Sequence, residues 1–213
     1  MKIGAPDGEL AAADAYCRFL AERHYENFTV ASRLIAPSLR RDLARIYAYA
    51  RTTDDLGDEN QREALVRLQR WRDEVVALFA GHAPIHPVLI ALRETIRERR
   101  LAQQPFLDLI AANVQDQSVT SYETWPQLEA YCRLSAAPVG RMVLGVFGID
   151  GAEAERLSDD VCIGLQLANF AQDVARDAQL GRTYLLQVDL REGGQTAATH
   201  ALCKRARELL ASG

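Results

Sequence analysis

Two pairs of aspartates stand at helical spacing, Asp54 with Asp58 and Asp173 with Asp177. Residues four apart share one face of a helix, so each pair presents two carboxylates side by side. Like charges at this spacing repel, and burying them is costly unless a cation compensates. Each pair also continues a face that reads as inward-pointing. Ahead of Asp54 the apolar stripe runs Leu43, Ile46, Tyr47 and Ala50, with Asp55 and Glu59 at its edge. Ahead of Asp173, the residues Val161, Leu165, Leu167, Ala168, Phe170, Ala171 and Val174 cover most of the circumference. They leave one polar seam, Gln166, Asn169, Asp173 and Asp177. A helix apolar nearly all round is a buried one, so this seam is expected to line an internal cavity.

Two inward pairs from separate helices can face each other across a bundle. Hard oxygen donors without histidine or thiolate suit Mg2+ or Mn2+. Mg2+ keeps several waters and binds through one or two carboxylates plus phosphate oxygens, so the pattern implies a phosphorylated ligand. Arg51, one turn before Asp54, and Arg176 and Arg182 beside the second pair are placed as further clamps. The plainer reading of any single Asp-x3-Asp is a solvated helix face, and it stands beside the metal reading. A di-iron carboxylate bundle requires Glu-x-x-His motifs, and none occurs around His24, His82, His86 or His200. His82 and His86 are four apart, but Pro84 and Pro87 make that stretch a loop. There is no GxGxxG or Walker loop, hence no visible seat for a nicotinamide or other nucleotide cofactor.

The elements that must position these residues are helices. Alanine, leucine and arginine dominate and strand-like alternation is nearly absent, which predicts an all-α, single-domain helical bundle over residues 1–213. Helices are expected over Leu10–Tyr25, Leu39–Asp58, Gln61–Ala80, Pro87–Leu101, Pro105–Gln117, Pro126–Phe147, Ala152–Ala178 and Ala201–Ala211. Pro87 and Pro105 suit first turns, Gly81 and Gly148 suit helix ends, and Asp150 with Glu153 resembles a capping box. The 25 basic and 29 acidic residues leave a net charge of −4, which gives no reason to expect nucleic acid as a partner. Cys17, Cys132, Cys162 and Cys203 form no CxxC pair, so a reducing cytoplasm is the default location. No stretch is long and apolar enough for a transmembrane segment.

At these residues the chain resembles the squalene/phytoene synthase family of head-to-head prenyl synthases. Tyr47-Ala-Tyr-Ala-Arg51-Thr-Thr-Asp54-Asp55-Leu-Gly-Asp58-Glu59 is similar to the family's first aspartate-rich signature. Gln166-Leu-Ala-Asn169-Phe-Ala-Gln172-Asp173-Val-Ala-Arg176-Asp177, with Gly181-Arg182-Thr-Tyr184-Leu185 after it, is similar to the second. Tyr131-Cys132 followed by Pro138-Val139-Gly140 occupies the place of the segment between them. The segment His24-Tyr25-Glu26-Asn27-Phe28, with Pro138 and Gln172, looks most like the branch acting on presqualene diphosphate in hopanoid synthesis.

The resemblance implies an isoprenoid-synthase bundle with a central cavity, a prenyl diphosphate substrate and Mg2+ held by Asp54, Asp58, Asp173 and Asp177. It implies catalytic roles for Tyr47, Arg51 and Tyr131, and substrate binding by His24, Asn27, Phe28, Gln166, Asn169, Arg182 and Tyr184. The implied reaction ionises presqualene diphosphate, rearranges the cation and captures it with water as hydroxysqualene. Head-to-head condensation of two prenyl diphosphates is the alternative, and a non-catalytic assembly protein of the same fold is a third reading. Other enzymes of the squalene/hopanoid pathway are implied partners, with peripheral membrane contact for so apolar a product. Ala136 to Gly145 either leaves room for a prenyl tail or permits close helix packing, and Phe170 reads as core. Relatives continue beyond the equivalent of Asp189-Leu190 through further helices, so part of that C-terminal region is expected to be missing from the 213 residues.

Overall fold

Proline opens half of the helices in the computed structural model, which describes residues 7–23, 35–58 and 61–213. Ten helices lie among the described residues: α1 Asp7–Arg23, α2 Pro37–Gly57, α3 Gln61–Phe79, α4 Pro87–Arg99, α5 Gln104–Gln115, α6 Trp125–Ser135, α7 Ala137–Phe147, α8 Ala152–Gln172, α9 Val174–Gln179 and α10 Gln187–Ser212. Helices α2, α4, α5, α6 and α7 each carry proline in the first turn, where its missing N–H costs nothing. Gly81 (φ 90°) and Gly148 (φ 68°) take left-handed conformations just past α3 and α7, as expected of helix ends.

Three expectations about the helices are corrected. The span 126–147 divides at Ala136 (φ −115°, ψ −51°), because the Pro138 ring lacks an N–H and crowds the preceding turn. The span 152–178 divides at Asp173 (φ −95°, ψ 11°), although the Asp173 N–H still donates to the Asn169 carbonyl at 2.8 Å. The last helix begins at Gln187 rather than Ala201 and continues through a kink at Gly194 (φ 70°, ψ −177°). The Asp150–Glu153 capping box does not form, since Gly151 caps α8 without a side-chain bond. The box forms instead before α6, where Gln127 Oε1 accepts from the N–H groups of Thr124 (3.1 Å) and Glu123 (2.9 Å).

Two apolar clusters hold the bundle. One gathers side chains from α1 to α5 and α7, including Trp71, Leu89, Leu92, Phe106 and Met142. The other gathers Leu128, Ile163, Leu167, Leu186 and Leu202 around α6, α8 and α10. Each such side chain, fully buried, contributes roughly 1.5–3 kcal/mol. Helix α5 takes part in both, through Phe106 and Ile110 on one side and Ala112 on the other. Hydrogen bonds fasten α2 to its neighbours next to the first aspartate pair. Trp71 Nε1 donates to Thr53 Oγ1 (2.9 Å), Thr53 Oγ1 donates to the Tyr49 carbonyl (2.9 Å), and the Tyr49 hydroxyl donates to the Phe106 carbonyl (2.8 Å).

The stretch Ala136–Gly145 serves close packing. A side chain at Gly140 would meet Ser158 Oγ at 2.3 Å, and one at Gly145 would meet Leu101 Cδ2 at 2.5 Å. Helix α8 is not buried all round as expected. It buries Asp159, Ile163, Gly164, Leu167 and Phe170 and leaves Leu165 53% exposed. Charge also lies deep in the fold. Asp42 and Arg45 are buried in a network where Arg45 donates to both Asp14 oxygens (2.7 and 3.0 Å) and to Thr95 Oγ1 (3.0 Å). Thr95 Oγ1 donates to Asp42 (2.9 Å), and so does Arg99 Nε (2.9 Å).

Candidate active site

The buried row of α2 is Ile46, Tyr49, Thr53 and Gly57, one step round from the stripe expected. Helices α3 and α5 claim that row. Tyr47, Ala50 and Arg51 are consequently half-buried, and Asp54 and Asp58 open to solvent beside the core. A carboxylate pair at such a margin avoids full desolvation and remains reachable by a ligand. The protein packed around Asp54 nevertheless raises its carboxyl to about 6, with Asp58 and Asp55 adding to the effect and Asn113 and Arg51 opposing it. Asn113 Nδ2 donates to Asp54 Oδ1 at 3.2 Å. Arg51 pairs with Asp55, while its Nε is buried without a hydrogen-bond partner among the described residues. Burial works against the Arg51 charge, but Asp55, Asp54 and Asp58 outweigh it.

Gln166 is half-buried and Asn169 exposed on α8, and the chain bends at Asp173 into α9. Burial, then the negative charge of Asp173, raises the Asp177 carboxyl, and Arg176 and Arg182 oppose the rise. The Arg182 N–H donates to the Asp177 carbonyl (2.9 Å), and Arg182 Nη2 donates to the Asp116 carbonyl (3.4 Å). Burial disfavours the Arg182 cation, whereas Asp116 and Asp58 favour it. Arg182 thus interacts electrostatically with a carboxylate from each aspartate motif. The loop carrying it is stitched to the α5–α6 loop by the parallel Ser121–Thr183 bridge, with the Thr183 N–H donating to the Thr120 carbonyl at 2.8 Å.

Beneath Arg182 lies an aromatic cluster. Phe170 and Tyr184 stack at 3.8 Å between centroids with planes 4° apart, and Tyr131 stacks 5.8 Å from Tyr184. Tyr122 packs 5.3 Å from Tyr131. Phe170 belongs to the core, as expected, and also backs Tyr184. The Tyr131 hydroxyl donates to Asp116 Oδ2 at 2.9 Å, while Asp116 Oδ1 is buried with no hydrogen-bond partner among the described residues. Burial and the Asp116 charge push the Tyr131 hydroxyl far up, so the phenol stays protonated.

Among the described residues no three acidic, histidine or cysteine side chains converge into a ready-made metal cage. The donors nevertheless fit Mg2+, which binds through few carboxylates and keeps water and phosphate for its other positions. The negative charge of Asp173, which helps raise the Asp177 carboxyl, is of the kind such an ion neutralises. His82 and His86 do not form a metal site. His86 caps α4 by accepting from the Val88 N–H (3.3 Å), and its ring packs 4.9 Å from Trp71. His24, Asn27 and Phe28 lie outside the described residues. Asp116, Asn113 and Gln117 were not foreseen. Only the Asn113-x3-Gln117 spacing, from the last turn of α5 to just past its end, hinted at a shared polar face.

Comparison with known proteins gives this arrangement its context. The Squalene/phytoene synthase family model matches residues 21–213. The chain is 34% identical over 186 residues to the hydroxysqualene synthase of Rhodopseudomonas palustris, covering 87% of this chain and 63% of that protein. It is 33% identical over 195 residues to the phytoene synthase of Arthrospira platensis, covering 84% and 63%. The chain therefore spans about 63% of the length of these curated relatives. The crystal structure of squalene synthase HpnC from Alicyclobacillus acidocaldarius superposes with a TM-score of 0.87 at 39% identity, covering 98% of this chain and 84% of that one. A dehydrosqualene synthase in complex with ligand gives 0.88 at 25% identity, covering 98% and 78%. The fold is accordingly the all-α fold of the isoprenoid synthases, and the chain belongs to the squalene/phytoene synthase family.

Proposed function

We propose that the protein is an enzyme that ionises a prenyl diphosphate, with presqualene diphosphate as substrate and hydroxysqualene as product. The observation that carries this reading is Arg182, whose backbone N–H donates to the Asp177 carbonyl of the second aspartate motif and whose cation is favoured by Asp58 of the first. A site that gathers carboxylates from two helices around a guanidinium suits a diphosphate bound together with divalent cations. Asp54, Asp58, Asp173 and Asp177 would hold Mg2+, which neutralises the leaving diphosphate when bound. Arg51 and Arg182 add charge-assisted hydrogen bonds to its oxygens. The carbon–oxygen bond breaks with its electron pair going to diphosphate. The cyclopropylcarbinyl cation rearranges, and water adds to it and gives up a proton. Gln166 and Asn169 orient the leaving group or that water.

The aromatic cluster suits a carbocation. Tyr131 and Tyr184 offer neutral π faces, each contact worth roughly 0.5–2 kcal/mol. Because Tyr131 stays protonated against Asp116, it presents a ring and not a nucleophilic phenolate that would trap the cation. Tyr47 is half-buried beside Arg51, with its hydroxyl raised by burial, and takes the same neutral role. No helix among the described residues is long and apolar enough to cross a membrane. We assign the apolar product to a membrane surface or to the next enzyme of a squalene/hopanoid pathway.

The test supplies presqualene diphosphate and farnesyl diphosphate separately with Mg2+. Hydroxysqualene is expected from the first. Turnover of farnesyl diphosphate alone would instead assign head-to-head condensation, the reading favoured by the 33% identity to a phytoene synthase. Asp54→Asn and Asp173→Asn are each expected to lower kcat/KM on the order of 100-fold. Unchanged turnover in both variants would sink the metal assignment. A chain that turns over neither substrate would fit the non-catalytic assembly reading.

A further inference from the structure

The first aspartate motif contains a glycine, Gly57, that has no conformational need to be one. Gly57 is the last residue of α2 and is absent from the positive-φ glycines, and glycine is a poor helix former. Its lack of a side chain is used by α5. A Cβ at position 57 would lie 2.4 Å from Asn113 Oδ1 and 3.3 Å from Asn113 Cβ. In the space so left, Asn113 Nδ2 donates to Asp54 Oδ1 (3.2 Å) and to the Leu109 carbonyl (3.1 Å). In the turn just past α5, Gln117 Nε2 donates to the Gly57 carbonyl (2.9 Å) and to the Asn113 carbonyl (2.9 Å). Two amides at i, i+4 therefore grip the final turn of α2, one on a carboxylate and one on a backbone carbonyl at the helix end.

We infer that Asn113, admitted by Gly57 and backed by Gln117, is a positioning residue that fixes the Asp54 carboxylate for divalent-metal binding. This rests on the assignment of Asp54 as a metal ligand. The Nδ2 group faces two acceptors, so the amide has one orientation that satisfies it. The Asp54 oxygen engaged by Asn113 is held, leaving Oδ2 with the freedom to meet an ion. Partners of this kind orient metal-ligating carboxylates, and their loss weakens metal binding. Thr53, hydrogen-bonded to Trp71 and Tyr49, secures the residue beside Asp54 from α3. Asp54 is thereby held between an apolar anchor and an amide clamp.

The experiment titrates the full chain with Mn2+ in the presence of S-farnesyl thiodiphosphate and follows free Mn2+ by electron paramagnetic resonance. Asn113→Leu keeps the side-chain shape and removes both donors, whereas Gly57→Ala leaves Asn113 intact but drives it off Asp54. Each is expected to raise the Mn2+ dissociation constant by about 10-fold. The double variant is expected to match the weaker-binding single one, because both changes break one bond. Gly57→Ala reaches that bond from the other helix, so a folding defect in Asn113→Leu leaves the question answerable. Unchanged Mn2+ affinity in both single variants, with Asp54→Asn still weakening it, would overturn the clamp and spare the metal assignment. If Asp54→Asn also left Mn2+ affinity unchanged, the metal assignment would fall and the clamp with it.

Discussion

Tyr131 donates its hydroxyl proton to one oxygen of Asp116, 2.9 Å away, while the other oxygen of that carboxylate is buried without a partner among the described residues. The backbone carbonyl of Asp116 meanwhile accepts from Arg182. One residue at the end of α5 thus touches both the aromatic cluster and the guanidinium beside the two aspartate motifs. Burial raises the Asp116 carboxyl, and Tyr131 and Arg182 restrain the rise.

Tyr131→Phe removes the hydroxyl that donates to the Asp116 carboxylate and leaves that half-buried carboxylate underserved. The expected loss is about 1–3 kcal/mol of folding stability. Adding Asp116→Asn should recover part of it, because the charge that lost its donor is then gone. Thermal denaturation of the single and double variants decides the matter. A double variant less stable than Tyr131→Phe alone would contradict this account of Asp116.

The Asp54 carboxyl, raised from 3.8 to about 6, fixes the sign of a pH effect in the metal-free protein. Between these two values the folded chain binds more protons at Asp54 than the unfolded chain does. This group therefore adds stability as pH falls from about 6 towards 4, and the contribution is lost as pH rises through about 6. Asp54 faces solvent on one side, so the sign and not the size is the test. Comparing urea denaturation of the protein and of Asp54→Asn at several pH values isolates the contribution. A stability difference that does not change across this window would refute it.

Arg45→Met is expected to cost about 3 kcal/mol, because it strips a buried network of its central cation. Asp42, 0% exposed, keeps Thr95 and Arg99, whereas Asp14 loses both of its bonds to Arg45. The loss should appear in the urea midpoint. In the folded variant, Mn2+ affinity should stay put, since α1, α2 and α4 meet here well away from the last turn of α2. A fall of less than about 1 kcal/mol would mean that Arg99 alone suffices for Asp42.

The helices were legible because alanine, leucine and arginine repeat without strand alternation and because Pro87 and Pro105 mark first turns. Both aspartate pairs were legible as chemistry, since carboxylates at i, i+4 at the end of an apolar stripe are costly without a purpose. Their setting was less so. Projection of α2 placed Tyr47 and Ala50 on the core face, but neighbours on two sides selected Tyr49 and Thr53, one step round. The bend at Asp173 follows no local breaker residue. The burial of Asp42 and Arg45 left no trace in the sequence, because their partners Asp14, Thr95 and Arg99 lie on other helices. Asn113 and Gly57 are unremarkable apart, and their meaning lies in a contact across more than fifty positions.

The two apolar clusters give the aspartate motifs different foundations. Asp54 rises from a helix rooted in one cluster, Asp173 from a helix rooted in the other, and α5 runs between them. A ligand gripped from both sides would act as a strut across this seam. Its arrival would be felt as stiffening of one half of the bundle against the other, and its departure as slack between them.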